Sequence, residues 1–348
     1  MDKSRLNKMF NELKVEALVS EAPQTRLWYS NVQTTDGYII IEPKKATLFV
    51  DGRYIEYAQN KAKNVDVKLL TATSMKEWFK ERAFKSVAFE SNYLTKDSEN
   101  YLTKIINPKE VKWVDGQVLR IIKDKEEIET MQKVVDISLS AYDELLTWIK
   151  PGMTEKEVAA YLNYLLKKHG GDKESFDEIV AASTSSAEPH HHPTDKKLVE
   201  GELLKIDFGA LYKGFCADIT RTHVLGGEDK VNNPKLLEIL NIVKQAAKKG
   251  RDIVKPGIKA SDVDKICRDY IEAAGYGEYF VHSTGHGLGI DIHELPRASK
   301  NDHTILEEGM IITVEPGIYI EGLGGARIED DVLVTKTGRY VFSRPDER

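Results

Sequence analysis

The chain has nine histidines, and three of them stand together as His190, His191 and His192 in "SSAEPHHHPTD". Imidazole is the commonest protein ligand for zinc and its neighbours, so this run is the first place to look for a metal site. A second set of candidates lies further along. Asp207 in "GELLKIDFG" and Glu315 in "GMIITVEPG" occupy the same place in two similar runs. Past a glycine-containing loop, each run is followed by one more carboxylate, Asp218 in "ADITRT" and Glu329 in "RIEDDVLVT". Carboxylates flanked by Leu204, Ile206 and Phe208, or by Ile311, Ile312 and Val314, are costly to bury unless a cation neutralises them. Four carboxylates and one imidazole suit a pair of divalent ions of hard to intermediate character, such as manganese or cobalt. The imidazole has candidates in "HSTGHGLGIDIHE", where His282, His286 and His293 lie in glycine-rich backbone that permits close approach.

The elements that would position these groups are themselves repeated. "KPGMTEKEVAAYLNYLLKKHG" from Lys150 matches "KPGIKASDVDKICRDYIEAAG" from Lys255. Pro-Gly breaks the preceding helix in both copies and a new helix starts just after it. Thr154 with Glu157 forms a capping box in the first copy, Ser261 is the expected cap in the second, and Gly170 and Gly275 close the two helices. With the carboxylate strands repeated as well, the pattern predicts a pseudo-two-fold α+β domain whose paired antiparallel strands meet at a shared centre. Ahead of it, "VEALVS", "DGYIII", "KATLFVDG", "VDVKLL" and "SVAFE" read as strands, with helical segments after "DGRY" and after Ser91. That part is a smaller α/β domain. A polar stretch, "VDGQVLRIIKDKEE", precedes a long amphipathic pattern from Glu126, which places the boundary near residue 120 and gives domains 1–120 and 121–348.

Composition narrows the function classes. At 348 residues the chain exceeds one ordinary core, and a formal net charge of -6 offers no basic field for nucleic acid. The two cysteines, Cys216 and Cys267, form no CxxC, so neither a disulfide framework nor a thiolate metal site is indicated, and Cys216 has no evident partner base to make it a nucleophile. "MDKSRLNKMF" lacks the apolar core of a signal peptide and no later run is long and apolar enough to span a bilayer, so a cytoplasmic protein without a membrane partner is expected.

"DFGALYKGFCADITRT", "HSTGHGLGIDIHE", "TVEPGIYI" and "GGARIEDDVLVT" closely resemble the pita-bread metallopeptidases, in particular the proline-specific branch of Xaa-Pro dipeptidase (prolidase) and aminopeptidase P. "LFVDGRY" at Leu48 to Tyr54 resembles their creatinase-type N-terminal domain. The resemblance implies two divalent metal ions, manganese first with cobalt and zinc as alternatives, held by Asp207, Asp218, His286, Glu315 and Glu329. It implies that Asp218 and Glu329 bridge the metals, Asp207 chelates one, and His286 with Glu315 completes the other. A hydroxide between the metals is then the nucleophile, Glu315 the proton shuttle to the departing proline nitrogen, and His282 and His293 donors to the substrate carbonyl or the intermediate.

By the same resemblance the substrate is a small peptide with proline second, and the assembly a homodimer. An Xaa-Pro bond is a tertiary amide without an N–H, which makes a dedicated enzyme plausible. Arg327, two residues before Glu329, supports either the metal shell or the substrate. Arg297 in "HELPRAS" matches a binder of a dipeptide's free carboxylate in prokaryotic prolidases, for which a guanidinium supplies a bidentate fork. This favours the dipeptidase over aminopeptidase P, the nearest alternative. Methionine aminopeptidase typically lacks the N-terminal domain, creatinase lacks the metal carboxylates, and a non-enzymatic scaffold would have lost ligands. The histidine run then changes meaning: His190 matches a histidine lining the substrate pocket, while His191 and His192 read as loop residues near its mouth.

Overall fold

The computed structural model describes residues 3–344. The chain divides into two compact units, Met1–Arg120 and Ile121–Arg348.

The first unit is built on strands β1 (Ala17–Ser20), β2 (Tyr38–Ile41), β3 (Ala46–Val50), β4 (Asp66–Leu69), β5 (Ser86–Glu90) and β6 (Glu110–Val114). They form one sheet in the order β4-β3-β2-β1-β5-β6, antiparallel at its centre (β3-β2-β1) and parallel towards both edges. Helices α1 (Ser4–Leu13), α2 (Pro23–Ser30), α3 (Ile55–Lys61), α4 (Ser74–Arg82), α5 (Lys96–Ile106) and α6 (Gly116–Leu119) alternate with them. Phe49, Trp78, Phe79 and Phe89 fill a core between sheet and helices. The five strands expected from sequence are present. The sixth, β6, is an edge strand in which Glu110 and Lys112 alternate with Val111 and Trp113, and it is not among the strands expected.

The second unit has two similar halves. In the first, α7 (Lys125–Trp148) and α8 (Glu155–Lys168) precede β7 (Lys173–Glu174), β8 (Ile179–Ala182), β9 (Leu203–Phe208), β10 (Ala210–Tyr212), β11 (Phe215–Cys216) and β12 (Ile219–Val224). In the second, α9 (Pro234–Ile253) and α10 (Ala260–Ala273) precede β13 (Gly285–Gly287), β14 (Glu294–Ala298), β15 (Ile311–Val314), β16 (Gly317–Ile320), β17 (Gly324–Arg327), β18 (Asp330–Val334) and β19 (Arg339–Val341). The carboxylate strands β9 and β15 each pair antiparallel with a partner, β12 and β18. Each half has its own core. Leu145, Val158, Leu162, Leu204, Ile206 and Phe208 pack together in the first; Val243, Val263, Ile271, Ile312, Val314 and Val332 do so in the second.

Both repeated helices are capped, but not both as expected. Thr154 and Glu157 form the predicted box on α8. On α10 the cap is Lys259 rather than Ser261, and the Asp262 carboxylate accepts the Lys259 N–H at 2.9 Å. The reason is tertiary: Thr154 and Lys259 are each pinned by a β-bridge, to Lys197 and to Ile305, so pairing sets where both helices begin and Ser261 falls inside the first turn. Gly170 and Gly275 both adopt the left-handed φ that ends a helix, at 108° and 86°.

Candidate metal centre

Alternation along the strands aims the carboxylates. In β9, Leu204, Ile206 and Phe208 face the first core, so Asp207 faces the other way. Glu315 follows β15 and shares a face with Thr313, whose hydroxyl lies 3.4 Å from its Oε1. Asp218 and Glu329 stand just before β12 and β18, and the Glu329 N–H donates to the Thr220 carbonyl at 3.1 Å, which ties the halves together. His286 lies in β13, and an added Cβ at its neighbour Gly285 would collide with the Thr313 carbonyl, so only glycine lets this strand approach β15.

Asp218, His286 and Glu329 each place one ligand atom so that all three lie within 4.8 Å of one another. His286 Nε2 is 3.5 Å from both Asp218 Oδ2 and Glu315 Oε1. Its Nδ1 bonds the Gly287 carbonyl at 3.0 Å and so carries the proton, leaving Nε2 as a bare lone pair aimed at the carboxylates. Burial drives the His286 pKa down to about 3, so the ring is neutral. Asp207 gives one oxygen, Oδ2, to Arg327 Nη2 at 2.5 Å, while Oδ1 is buried without a hydrogen-bond partner.

The electrostatics of the cluster are unfavourable without a counterion. Burial, followed by the charges of Glu329, Asp207 and Glu315, pushes Asp218 well above the ordinary carboxylate range. Glu329 is raised the same way, by burial and then by Glu315 and Asp207. Burial lifts Glu315 to about 7 despite the opposing pull of Arg327. Converging acids, a neutral imidazole with its lone pair turned inward, and an orphaned carboxylate oxygen are the donor set that divalent cations require.

Arg327 is the hub behind the cluster. Besides Asp207, it donates from Nε to Thr220 Oγ1 at 3.0 Å and from Nη1 to Tyr319 Oη at 2.8 Å and the Pro189 carbonyl at 3.2 Å. Only 3% exposed, it is committed to protein groups, which fits the metal-shell half of its expected role. Tyr319 Oη lies 2.8 Å from His282 Nε2, and His282 Nδ1 donates to the Ser283 carbonyl at 2.7 Å, so the tyrosine hydroxyl is the donor to Nε2. Burial and then the charge of Arg327 bring the His282 pKa down to about 4.

The remaining predicted groups ring this centre. His293 packs edge-on against His286, with ring centroids 4.4 Å apart. His190 is exposed, near enough to His282 and His293 that a positive charge on it would lower the pKa of both. Arg297 is exposed on β14, directly across from His286. His192 is exposed as expected of a loop residue, but His191 is not: it is 6% exposed and bridges Glu155 Oε2 at 2.8 Å and Glu188 Oε2 at 2.6 Å. A histidine between two carboxylates has no sequence signature, because Glu155 lies 36 positions away on α8. Tyr319 and Thr220 are absent from the residues singled out by sequence. Thr220 and Thr222 do leave a trace, as polar residues two apart on the strand that pairs with Asp207. "GIYI" reads as an apolar strand and hides its hydroxyl.

A two-fold-repeated domain with buried acids around a neutral histidine defines a metal-dependent hydrolytic centre. Residues 129–336 match the metallopeptidase family M24 and residues 3–122 match the creatinase/prolidase N-terminal domain, and the chain belongs to this metallopeptidase family. It is 41% identical to the Xaa-Pro dipeptidase of Pyrococcus furiosus over 96% of this chain and 95% of that one. Its structure is similar to that of the Xaa-Pro dipeptidase from Bacillus anthracis, with a TM-score of 0.92, 37% identity, and coverage of 99% and 97% of the two chains. It is also similar to the X-Pro aminopeptidase from Thermotoga maritima, with a TM-score of 0.89, 31% identity, and coverage of 97% and 98%.

Proposed function

We propose that this metallopeptidase hydrolyses Xaa-Pro dipeptides, using two divalent ions held by Asp207, Asp218, His286, Glu315 and Glu329. The observation that carries the reading is Asp207: one oxygen neutralised by Arg327, the other buried and unpartnered beside three more carboxylates. Bound ions would supply Lewis acidity, bringing a water near neutrality and polarising the scissile carbonyl. The chain's own groups do the rest. Proline nitrogen departs as a secondary amine and must gain a proton, which Glu315 would take from the attacking water and hand over. His293 would donate to the carbonyl oxygen, and His190 would line the substrate pocket. His282 Nε2 accepts from Tyr319, so donating to the same oxygen would require the ring to carry its proton on Nε2 instead of Nδ1.

Dipeptidase is favoured over aminopeptidase by Arg297. It is exposed across from His286, where a guanidinium can take the free carboxylate that a dipeptide carries directly after its proline. The assay is direct: purified, manganese-loaded protein is given Xaa-Pro, Xaa-Pro-Yaa, a Met-Ala-Xaa peptide and creatine. Cleavage confined to the dipeptide supports the reading. Preference for the tripeptide makes the protein an aminopeptidase P.

Manganese, a homodimer and a cytoplasmic setting belong to the same proposal. Four carboxylates and one imidazole suit manganese, with cobalt and zinc as alternatives. Cys216 and Cys267 are free and buried, and burial lifts each thiol to about 12, which fits a reducing compartment. Among the described residues no helix is long and apolar enough to cross a membrane. Family resemblance carries the dimer, and light scattering on the purified protein tests it.

A further inference from the structure

Lys205 shares the face of β9 that carries Asp207, because the strand turns Leu204, Ile206 and Phe208 to the opposite side. Its side chain is fully buried. The ammonium lies 2.6 Å from the Glu188 carbonyl, 3.1 Å from that of Ser186 and 3.5 Å from that of Pro189, and 5.0 Å from the centre of the Tyr319 ring. Burial, then the charge of Arg327, pulls the Lys205 pKa well below the ordinary lysine range, but its polar neighbours are three carbonyls that only accept, which suits an ammonium with three donors and no acceptor. For stability alone an apolar residue would serve this core strand as well or better, since burying a charge carries a large desolvation cost.

What the charge achieves is local. The three carbonyls belong to the segment that ends directly before His190. Arg327 Nη1 donates to the same Pro189 carbonyl at 3.2 Å. The chain therefore enters His190 with its carbonyls turned onto two cations, one on the strand that carries Asp207 and one two residues ahead of Glu329. Free of this grip, an exposed residue after a Pro would be set by its own loop preferences.

We propose that Lys205 is a positioning residue for substrate binding, holding the Ser186, Glu188 and Pro189 carbonyls and with them the backbone that leads into His190. The inference rests on His190 being a substrate contact, as argued above.

The test uses the full-length, metal-loaded protein and an Xaa-Pro dipeptide. Lys205→Met removes the ammonium and keeps most of the stem. It is expected to raise KM about tenfold, the order of one charge-assisted hydrogen bond, with kcat within about threefold and metal content intact. In a His190→Ala background the same change is expected to add less than about twofold, because the group it positions is gone. Hydrogen exchange of the amides of residues 186–188 and 190–192 is expected to accelerate. If Lys205→Met does not fold, Lys205→Gln, neutral with two donors, is expected to show the same KM rise and faster exchange. A loss of kcat and metal with unchanged KM, or an effect that multiplies with that of His190→Ala, overturns the proposal. His190→Ala with unchanged KM removes the substrate role of His190, and this proposal with it. A raised KM in His190→Ala beside an unchanged KM in the Lys205 variants removes the role of Lys205 alone.

Discussion

Arg327 Nη2 lies 2.5 Å from Asp207 Oδ2, and the other oxygen of that carboxylate is buried with no hydrogen-bond partner. The guanidinium thus orients Asp207 and leaves Oδ1 unpaired, the oxygen a cation would take under the proposed function. Lysine in its place keeps the charge but not the fork that also reaches Thr220, Tyr319 and Pro189. Arg327→Lys is expected to lower kcat/KM by roughly 10–100-fold and to weaken metal retention, the usual range for a group that orients a ligand. Metal analysis after gel filtration, with steady-state kinetics, checks it; full metal content at full activity would reduce Arg327 to an ordinary ion pair.

The pH dependence of the metal-free protein follows from the same cluster. Burial and mutual repulsion hold Asp218 and Glu329 well above the ordinary carboxylate range and Glu315 at about 7, whereas in the unfolded chain all three sit near 4. The folded state therefore binds more protons than the unfolded one across this interval. The stability these groups contribute is complete below about pH 4 and falls as pH rises, the share of Glu315 being lost through about 7 and those of Asp218 and Glu329 through their own raised values. Metal-free protein is expected to melt at a lower temperature at pH 8 than at pH 6. Manganese is expected to reverse this order, because binding must displace more protons at pH 6 than at pH 8. Thermal melts with and without chelator at the two pH values decide it.

The sequence made the centre legible because its carboxylates repeat. Asp207 and Glu315 stand at equal places in matching strands, as do Asp218 and Glu329 ahead of the strands that pair with them, and a repeat survives translation into three dimensions. The supporting groups do not repeat. Arg327 meets Asp207 across 120 positions and His282 meets Tyr319 across 37, contacts created by sheet packing and by no local pattern. The Ser261 cap failed for the same reason: local chemistry offered a hydroxyl, and the Lys259–Ile305 bridge chose the helix start.

His191 separates the histidine run from the metal question. It supplies one of the partners of Glu155, a fully buried carboxylate that also accepts from the Ala182 N–H and from Thr194. His191→Ala leaves Glu155 short of a partner and is expected to cost about 1–3 kcal/mol of stability, with metal content unchanged. His192→Ala, at an exposed position, is expected to stay within about 0.5 kcal/mol of the parent. Denaturant titrations and metal analysis of the two variants check this, and loss of metal from either would return the run to the list of ligands.

Tyr319 joins the shell that holds Asp207 to an imidazole of the pocket, accepting from Arg327 and donating to His282, each at 2.8 Å. Tyr319→Phe keeps the buried ring and deletes only the hydroxyl, so the structural cost is small and the connection is what is lost. His282 Nε2 then has no donor and Arg327 Nη1 keeps only the Pro189 carbonyl. A fall of about tenfold in kcat/KM is expected, the order of one buried hydrogen bond to a charged group. His282→Ala should cost more, because it removes the group itself. The combination distinguishes a linked pair from two independent contributors: if Tyr319 acts through His282, the double variant is no worse than His282→Ala alone, whereas independent action makes the two losses multiply. Kinetics of the four proteins on one Xaa-Pro dipeptide complete the cycle, and multiplied losses would assign Tyr319 to Arg327 and the metal shell instead of to His282.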